Sequence, residues 1–270
     1  MAAAINERLQ EFRWSRLVLA GAFALALLLL STRLYIPAAL AFVGLIVWSM
    51  WLSDREGKRR CVNLTYNLPD LAAKYYQAFI HSFEVAAQCF TIWRVTSQAA
   101  AHAKYTAGAD RVVQRSVTAI TFNDAALKAN VSIPWLWVAG GKLALLPDRM
   151  LFFGPAGVLS MNYKDVGVSA SFTNFREDGP VPPDSTNVGA TWQFVNKNGG
   201  PDRRFANNRQ LPIQRYSDLQ FTHPRLTFRL EFSRADMAEV LKKALEGLAL
   251  ADASATWKVG ITGSQQDEPK

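Results

Sequence analysis

Two runs without a single charged residue, 17–32 and 34–53, occupy the first sixty positions and constrain this chain more than any other feature. Wound as a helix, the second run rises roughly 30 Å, the thickness of a bilayer's hydrocarbon core. The first rises roughly 24 Å, so it would recruit Trp14 or thin the bilayer locally. Only residues 31–37 connect them, a tight turn in which Pro37 suits the first turn of the second helix. Trp14, Tyr35, Trp48 and Trp51 lie near the run ends, as in an aromatic belt. The spacing predicts a transmembrane hairpin. A cleaved signal peptide fits less well, because Ser31-Thr32-Arg33 is not a small-x-small cleavage site and a second apolar run follows at once. A hairpin buried in a small domain would need two helices apolar on every face.

Charge placement sharpens this expectation. The net charge is +8, and half of that excess lies within residues 1–60. Arg8, Arg13 and Arg16 precede the runs, Arg55, Lys58, Arg59 and Arg60 follow them, and Arg33 alone marks the turn. A basic excess beside apolar runs suits anionic lipid headgroups, so a lipid bilayer is expected as a partner and a nucleic-acid polymer is not. The positive-inside rule places both termini in the cytoplasm, with Arg13, Arg16, Arg55, Lys58, Arg59 and Arg60 as membrane-flanking residues. Cys61 and Cys89 are then expected as reduced, structural thiols.

The 270 residues are 50% hydrophobic and 19% charged, which excludes a disordered, collagen-like or disulfide-dense chain. About 200 residues follow the hairpin, enough for one well-cored domain. Residues 61–110 read as a linker helix region packing on the domain, 111–250 as a β-rich domain, and 251–270 as an aperiodic, mobile tail. Asn67-Leu68-Pro69-Asp70 is a helix start, and Leu71, Ala72, Tyr75, Phe79, Phe83, Ala86, Ala87 and Phe90 recur at helical spacing. Residues 111–122, 142–146, 149–153, 158–163, 166–175 and 191–195 read as short strands. The clearest alternation sets Leu226, Phe228, Leu230 and Phe232 inward against Arg225, Thr227, Arg229 and Glu231 outward, after a turn at His223-Pro224 from a strand at 213–222. Ser233 and Asp236 resemble a capping box before an apolar stripe of Met237, Val240, Leu241, Ala244, Leu245 and Leu248. The expected fold class is α+β: a two-helix transmembrane hairpin, then a mainly antiparallel β domain with a C-terminal amphipathic helix. About seven strands plugged by that helix resemble the pleckstrin-homology-like (PH-like) arrangement.

Two long loops interrupt the strands. The first, 176–190, is rich in proline and acid. The second, 196–212, gathers Lys197, Arg203, Arg204 and Arg209 with Asn207 and Asn208 around Gly199-Gly200-Pro201. Guanidinium groups and free backbone N–H groups there would suit an anion such as phosphate, so Lys197, Arg203, Arg204, Asn207, Asn208 and Arg209 are the expected ligand-binding residues. The competing reading is that the arginines staple the loop to Asp202, Glu177, Asp178 or Asp184 and the asparagines cap turns. Leu146-Pro147-Asp148-Arg149, the stretch from Thr191-Trp192 to Phe205, and Asn207-Asn208-Arg209-Gln210-Leu211-Pro212 together resemble a widespread bacterial β-rich domain without an assigned activity. That resemblance covers about residues 90–235 and implies a bacterial origin, hence the inner membrane as a multi-pass protein. It departs from the family pattern at Thr222-His223-Pro224-Arg225.

Signatures of catalysis are sparse. There is no Gly-x-Ser-x-Gly elbow, Walker loop or dinucleotide fingerprint, and Gly140-Gly141-Lys142 lacks the first glycine and the hydroxyl. His81, His102 and His223 have no ligand-spaced partners, and Asp148, Asp165 and Glu231 read as strand-end and surface acids rather than a metal set. No catalytic residue, cofactor or metal is expected. The first functional expectation is a membrane-tethered cytoplasmic module, not an enzyme, that senses a protein, a lipid headgroup or a small anion. The second is a membrane effector of bacterial anti-phage defence gated by a nucleotide, and the third a hydrolase with a dispersed site. Gly21, Ala22, Ala24 and Ala26 leave homo-oligomerisation through small-residue packing open.

Overall fold

The computed structural model of the chain describes residues 5, 7, 18–21, 23–24, 35–60, 62–100, 111–124, 126–138, 140–196, 198–254 and 258–263. In chain order they form α1 (Tyr35–Arg60), β1 (Val62–Asn67), α2 (Asp70–Ala87), β2 (Ile92–Ala100), β3 (Arg111–Thr118), β4 (Ile120–Phe122), β5 (Leu127–Ala129), β6 (Pro134–Val138), β7 (Gly141–Leu145), β8 (Met150–Gly154), β9 (Gly157–Met161), a 3₁₀ turn (Tyr163–Asp165), β10 (Gly167–Arg176), β11 (Thr186–Trp192), β12 (Gln210–His223), β13 (Leu226–Phe232), α3 (Met237–Ser254) and β14 (Lys258–Gly263). They separate into two compact units, one of residues 1–66, 123–131 and 259–270, the other of residues 67–122 and 132–258.

In the first unit β14, β1 and β5 make a three-stranded sheet in that order, with β1 parallel to β5. Asn130 extends the pairing, its amide accepting from Tyr66 N and donating to Tyr66 O, both at 2.8 Å. β14 lies within the stretch that shows no periodicity in the sequence. Helix α1 carries the second uncharged run, and it is two-sided. Phe42, Leu45, Ile46, Ser49 and Leu52, at helical spacing, are shielded, whereas Val43, Val47, Trp48, Met50 and Trp51 are exposed. The most buried of these residues is polar: Ser49 Oγ donates to Ile46 O at 2.9 Å.

Among the described residues no helix is long and apolar enough to cross a membrane. This overturns the transmembrane hairpin and the multi-pass inner-membrane placement expected from the sequence. α1 runs without a break into Asp54, Arg55, Glu56, Lys58, Arg59 and Arg60, so one helix joins the apolar stretch to a charged end. Arg55 lies over Trp51, 4.4 Å from the ring centroid. Most of the first run, with Arg13 and Arg16, lies outside the described residues, as does Cys61.

The second unit holds two antiparallel sheets. One runs β10-β12-β13-β2-β3, with β11 pairing β12 beyond the end of β13, and the other runs β4-β6-β7-β8-β9. Only Ala119 separates β3 from β4, so one stretch of chain feeds both sheets. The fold class is therefore α+β and strand-rich, but the PH-like expectation is corrected too. Eleven described strands in two sheets replace about seven, and α2 packs against α3 instead of leaving a single helix to plug the sheet. Sequence reading missed β1, β5, β6 and β14 and placed the start of β11 five residues late.

Helix α2 buries Ala72, Tyr76, Phe79, Phe83 and Ala86. Leu71 and Tyr75, expected on that face, are 62% and 44% exposed, so the buried stripe is rotated by one residue toward Tyr76. Tyr76 is held there because its phenol donates to Ser132 O at 2.6 Å, and burial raises its pKa. Phe79 stacks on Tyr76, lies tilted against Phe83 and meets Tyr163 edge-on. In α3, Met237, Leu241, Leu245 and Leu248 are buried as the stripe predicts, whereas Val240, expected with them, is exposed. Ser233 does not cap this helix with its own hydroxyl, which donates to Asp184 at 2.9 Å. Ser217 Oγ on β12 takes over, accepting from Ala238 N at 3.2 Å.

Candidate functional site

Strand period places Trp93, Arg115, Thr173, Phe175, Tyr216, Asp218, Arg229 and Glu231 on the face of the first sheet opposite α3. On a flat sheet, four strand spacings of about 4.8 Å would hold β3 and β10 roughly 19 Å apart. Yet Arg115 of β3 lies 3.9 Å from the Phe175 ring of β10, and 4.1 Å from Trp93 of β2. The sheet is therefore curled, and this face is concave. A register shift between Val95 and Ser97 in the β2–β3 pair supplies a local bend.

The hollow is filled by charge. Arg115 donates through Nη2 to Glu177 Oε1, and Tyr216 OH donates to the same oxygen at 2.6 Å. Arg229 donates to Asp218 at 2.5 Å, to Thr173 Oγ1 at 3.0 Å and to Glu231 Oε1 at 3.2 Å. Glu231 is fully buried, and its Oε2 reaches only Arg115 Nη1 at 3.7 Å, outside hydrogen-bond distance. Burial outweighs both guanidinium groups and pushes the Glu231 carboxyl up from its ordinary value. Burial and the Glu177 bond likewise raise the Tyr216 phenol. Glu231 and Arg229 thus do not face solvent as the alternation predicts. Arg225 and Thr227, at the other end of β13, are exposed as expected; the sheet curls over the Arg229–Glu231 end.

The second loop of the sequence is the end of a long hairpin. β11 and β12 pair from Thr186–Arg215 to Trp192–Gln210, and Gln193 N donates to Arg209 O at 2.8 Å beyond the last pair. The tip then builds itself from its own residues. Asn196 Oδ1 accepts from Asn198 N and Gly200 N, while Asn196 N donates to Gly200 O. Gly199 sits at φ +79°, a left-handed value that favours glycine. Asn208 closes the loop like a paired strand residue, accepting from Phe194 N at 2.9 Å and donating to Phe194 O at 2.7 Å. Asp202 is buried and accepts from Arg204 N, Nε and Nη2, the last at 2.6 Å, which holds its carboxyl down at about 2.

The expected ligand residues therefore divide. Arg204 is tied to Asp202, Arg209 is paired with Asp178, and Asn208 is spent on the backbone. Arg203 and Asn207 are exposed, and no bond to another described residue holds either. Lys197 lies outside the described residues. Phe205 stacks on Phe194 with centroids 4.0 Å apart and remains 43% exposed. Sequence reading missed Phe205, although an aromatic residue between basic residues on a polar loop was a signal. It also missed Arg115, which no local pattern marks.

Asp148, Asp165 and Glu231 are not gathered: Asp148 pairs with Arg149 at 2.6 Å, and Asp165 accepts from Asn162. Among the described residues no group of three or more His, Cys, Asp or Glu side chains is placed to hold a metal ion. No family model matches the chain, and no curated protein or solved structure is significantly similar to it.

Proposed function

We propose that the second unit is a non-catalytic binding module whose β11–β12 hairpin tip recognises a partner bearing anionic groups. One observation carries this reading. The tip satisfies its own polar groups and fixes its own conformation, while Arg203 and the outer face of Phe205 remain directed at solvent. Arginine and large aromatic side chains are the types that dominate binding energy when a partner covers them. A frame ordered before binding removes part of the entropy cost of association. In sequence the tip carries four basic residues, Lys197, Arg203, Arg204 and Arg209, of which Arg204 is paired with Asp202 and Arg209 with Asp178. Asn196, Gly199, Asp202 and Asn208 each build that frame.

The test titrates the full chain with a hexaglutamate peptide and with inorganic phosphate, the two chemistries that would supply the anion. Binding that weakens with added salt, and falls at least about fivefold in Arg203→Glu and in Phe205→Ala at unchanged melting temperature, supports the reading. Equal binding by wild type and both variants, or binding of neither probe by the wild type, would overturn it.

A further inference from the structure

β10 ends at Arg176, and Glu177 and the bend residue Asp178 follow it; Arg176 and Asp178 meet the base of the tip and Glu177 the charged hollow. Arg176 Nη1 donates to Gln193 O at 3.2 Å, and Asp178 accepts from Arg209. Gln193 and Arg209 are the pair on which the tip stands. Between them Glu177 turns the other way, into the hollow, where Arg115 and Tyr216 both hold its Oε1. Its amide donates to Pro212 O at 3.0 Å, on the strand that leaves the tip. We infer that Glu177 is a positioning residue for the tip: gripped by Arg115 and Tyr216, it fixes Arg176 and Asp178 against Gln193 and Arg209 and so sets how firmly Arg203 and Phe205 are presented.

Successive side chains of β10 point to opposite sides and Glu177 directly follows its last residue, so a clamp on Glu177 fixes the direction of Arg176 and anchors the bend from which Asp178 reaches Arg209. Arg176 and Asp178 bond near the surface and would exchange with water if the strand end were free. Glu177 is held by a charge-assisted bond and a phenol inside the curled sheet, where such bonds are strongest. The grip therefore comes from β3 and β12, and the tip receives it.

This inference rests on the reading of the tip as the recognition element only for its consequence in binding; the latch itself is tested without a partner. Hydrogen exchange is followed at Gln193, Phe194, Asn196 and Asp202 N–H, all bonded within the tip, and at Leu143 and Leu151 in the second sheet. In Glu177→Ala the tip amides are expected to exchange at least about tenfold faster while the second sheet keeps its rates, with Glu177→Gln intermediate because it keeps an acceptor for Tyr216. If Glu177→Ala does not fold, the Arg176→Ala/Asp178→Ala pair, which leaves the hollow intact, must produce the same selective acceleration. Unchanged tip exchange, or equal acceleration in both places, would overturn the latch. Probe binding that is absent in the wild type, alongside selective acceleration in the variants, would remove the binding reading and leave the latch standing.

Discussion

The charged hollow contains two guanidinium groups, Arg115 and Arg229, and three carboxylates, Glu177, Asp218 and Glu231, and this imbalance fixes the sign of a stability experiment. Glu231 is the least well served carboxylate: one bond at 3.2 Å, one contact at 3.7 Å, and no exposure. Its pKa is raised in the folded state, chiefly by burial. A raised folded pKa means that Glu231's contribution is fully favourable below its unfolded value of 4.5 and is lost as pH rises through the folded value. Glu231→Gln keeps the shape and removes the surplus charge, so at pH 8 it should cost less than about 1 kcal/mol or stabilise the unit. Arg115→Met leaves Glu177 and Glu231 without their cation and should cost about 3–5 kcal/mol. Urea unfolding at pH 5 and pH 8 reads both, with Trp93 beside Arg115 as the fluorescent reporter. The advantage of Glu231→Gln over wild type should grow from pH 5 to pH 8. A loss at pH 8 as large as that of Arg115→Met would show that ionised Glu231 is a required counter-ion and would refute the charge count.

Two further outcomes follow from the same geometry. Phe79→Ala removes a fully buried ring held by Tyr76, Phe83 and Tyr163 and should lower the urea-unfolding free energy by about 3–5 kcal/mol, whereas Tyr75→Ala on the exposed side should change it by less than about 1 kcal/mol. Asp202 is held by Arg204 at about 2 instead of the ordinary 3.8, so its support of the tip is present above pH 3.8 and is lost as pH falls from there toward 2; the Gly199 and Gly200 amide shifts should move across that interval in wild type and stay flat in Asp202→Asn.

Periodicity carried the sequence reading wherever one face of an element meets an apolar core. It placed α3, the β12–β13 turn at His223-Pro224 and the inward residues of β13. On α2 it erred by one position, because Tyr75 and Tyr76 are both aromatic and it is the Tyr76 phenol that reaches Ser132 O and Leu145 O. β5 is three residues long and leaves no period to read, and β11 is exposed along most of its length, so its residues resemble a loop. The hollow was invisible for a different reason. Alternation assigns Arg229 and Glu231 to water because it assumes a flat sheet, whereas the curl that buries them is produced by partners 39 to 62 residues apart, such as Glu177 with Tyr216 and with Arg115. The apolar runs near the N-terminus misled in the opposite sense. Absence of charge in 34–53 says nothing of sidedness, and α1 has two sides.

Why a sheet should keep five charged side chains inside its curl is answered by what an apolar replacement would lose. Leucine and methionine in the hollow would pack as well and would avoid the cost of dehydrating the charges. They would leave the end of β10 held only by dispersion contacts, which have little directional preference. A carboxylate that accepts from both Arg115 and Tyr216 has one position in which both bonds form, and Glu177 held so fixes the chain where it leaves β10. The same logic runs through the tip, where Asn208 and Asp202 spend their side chains on the backbone of the loop they belong to. Both structures exchange stability for definition of a single conformation. On a segment that protrudes into solvent, that exchange is useful when what it presents, Arg203 and Phe205, must meet a partner in one orientation.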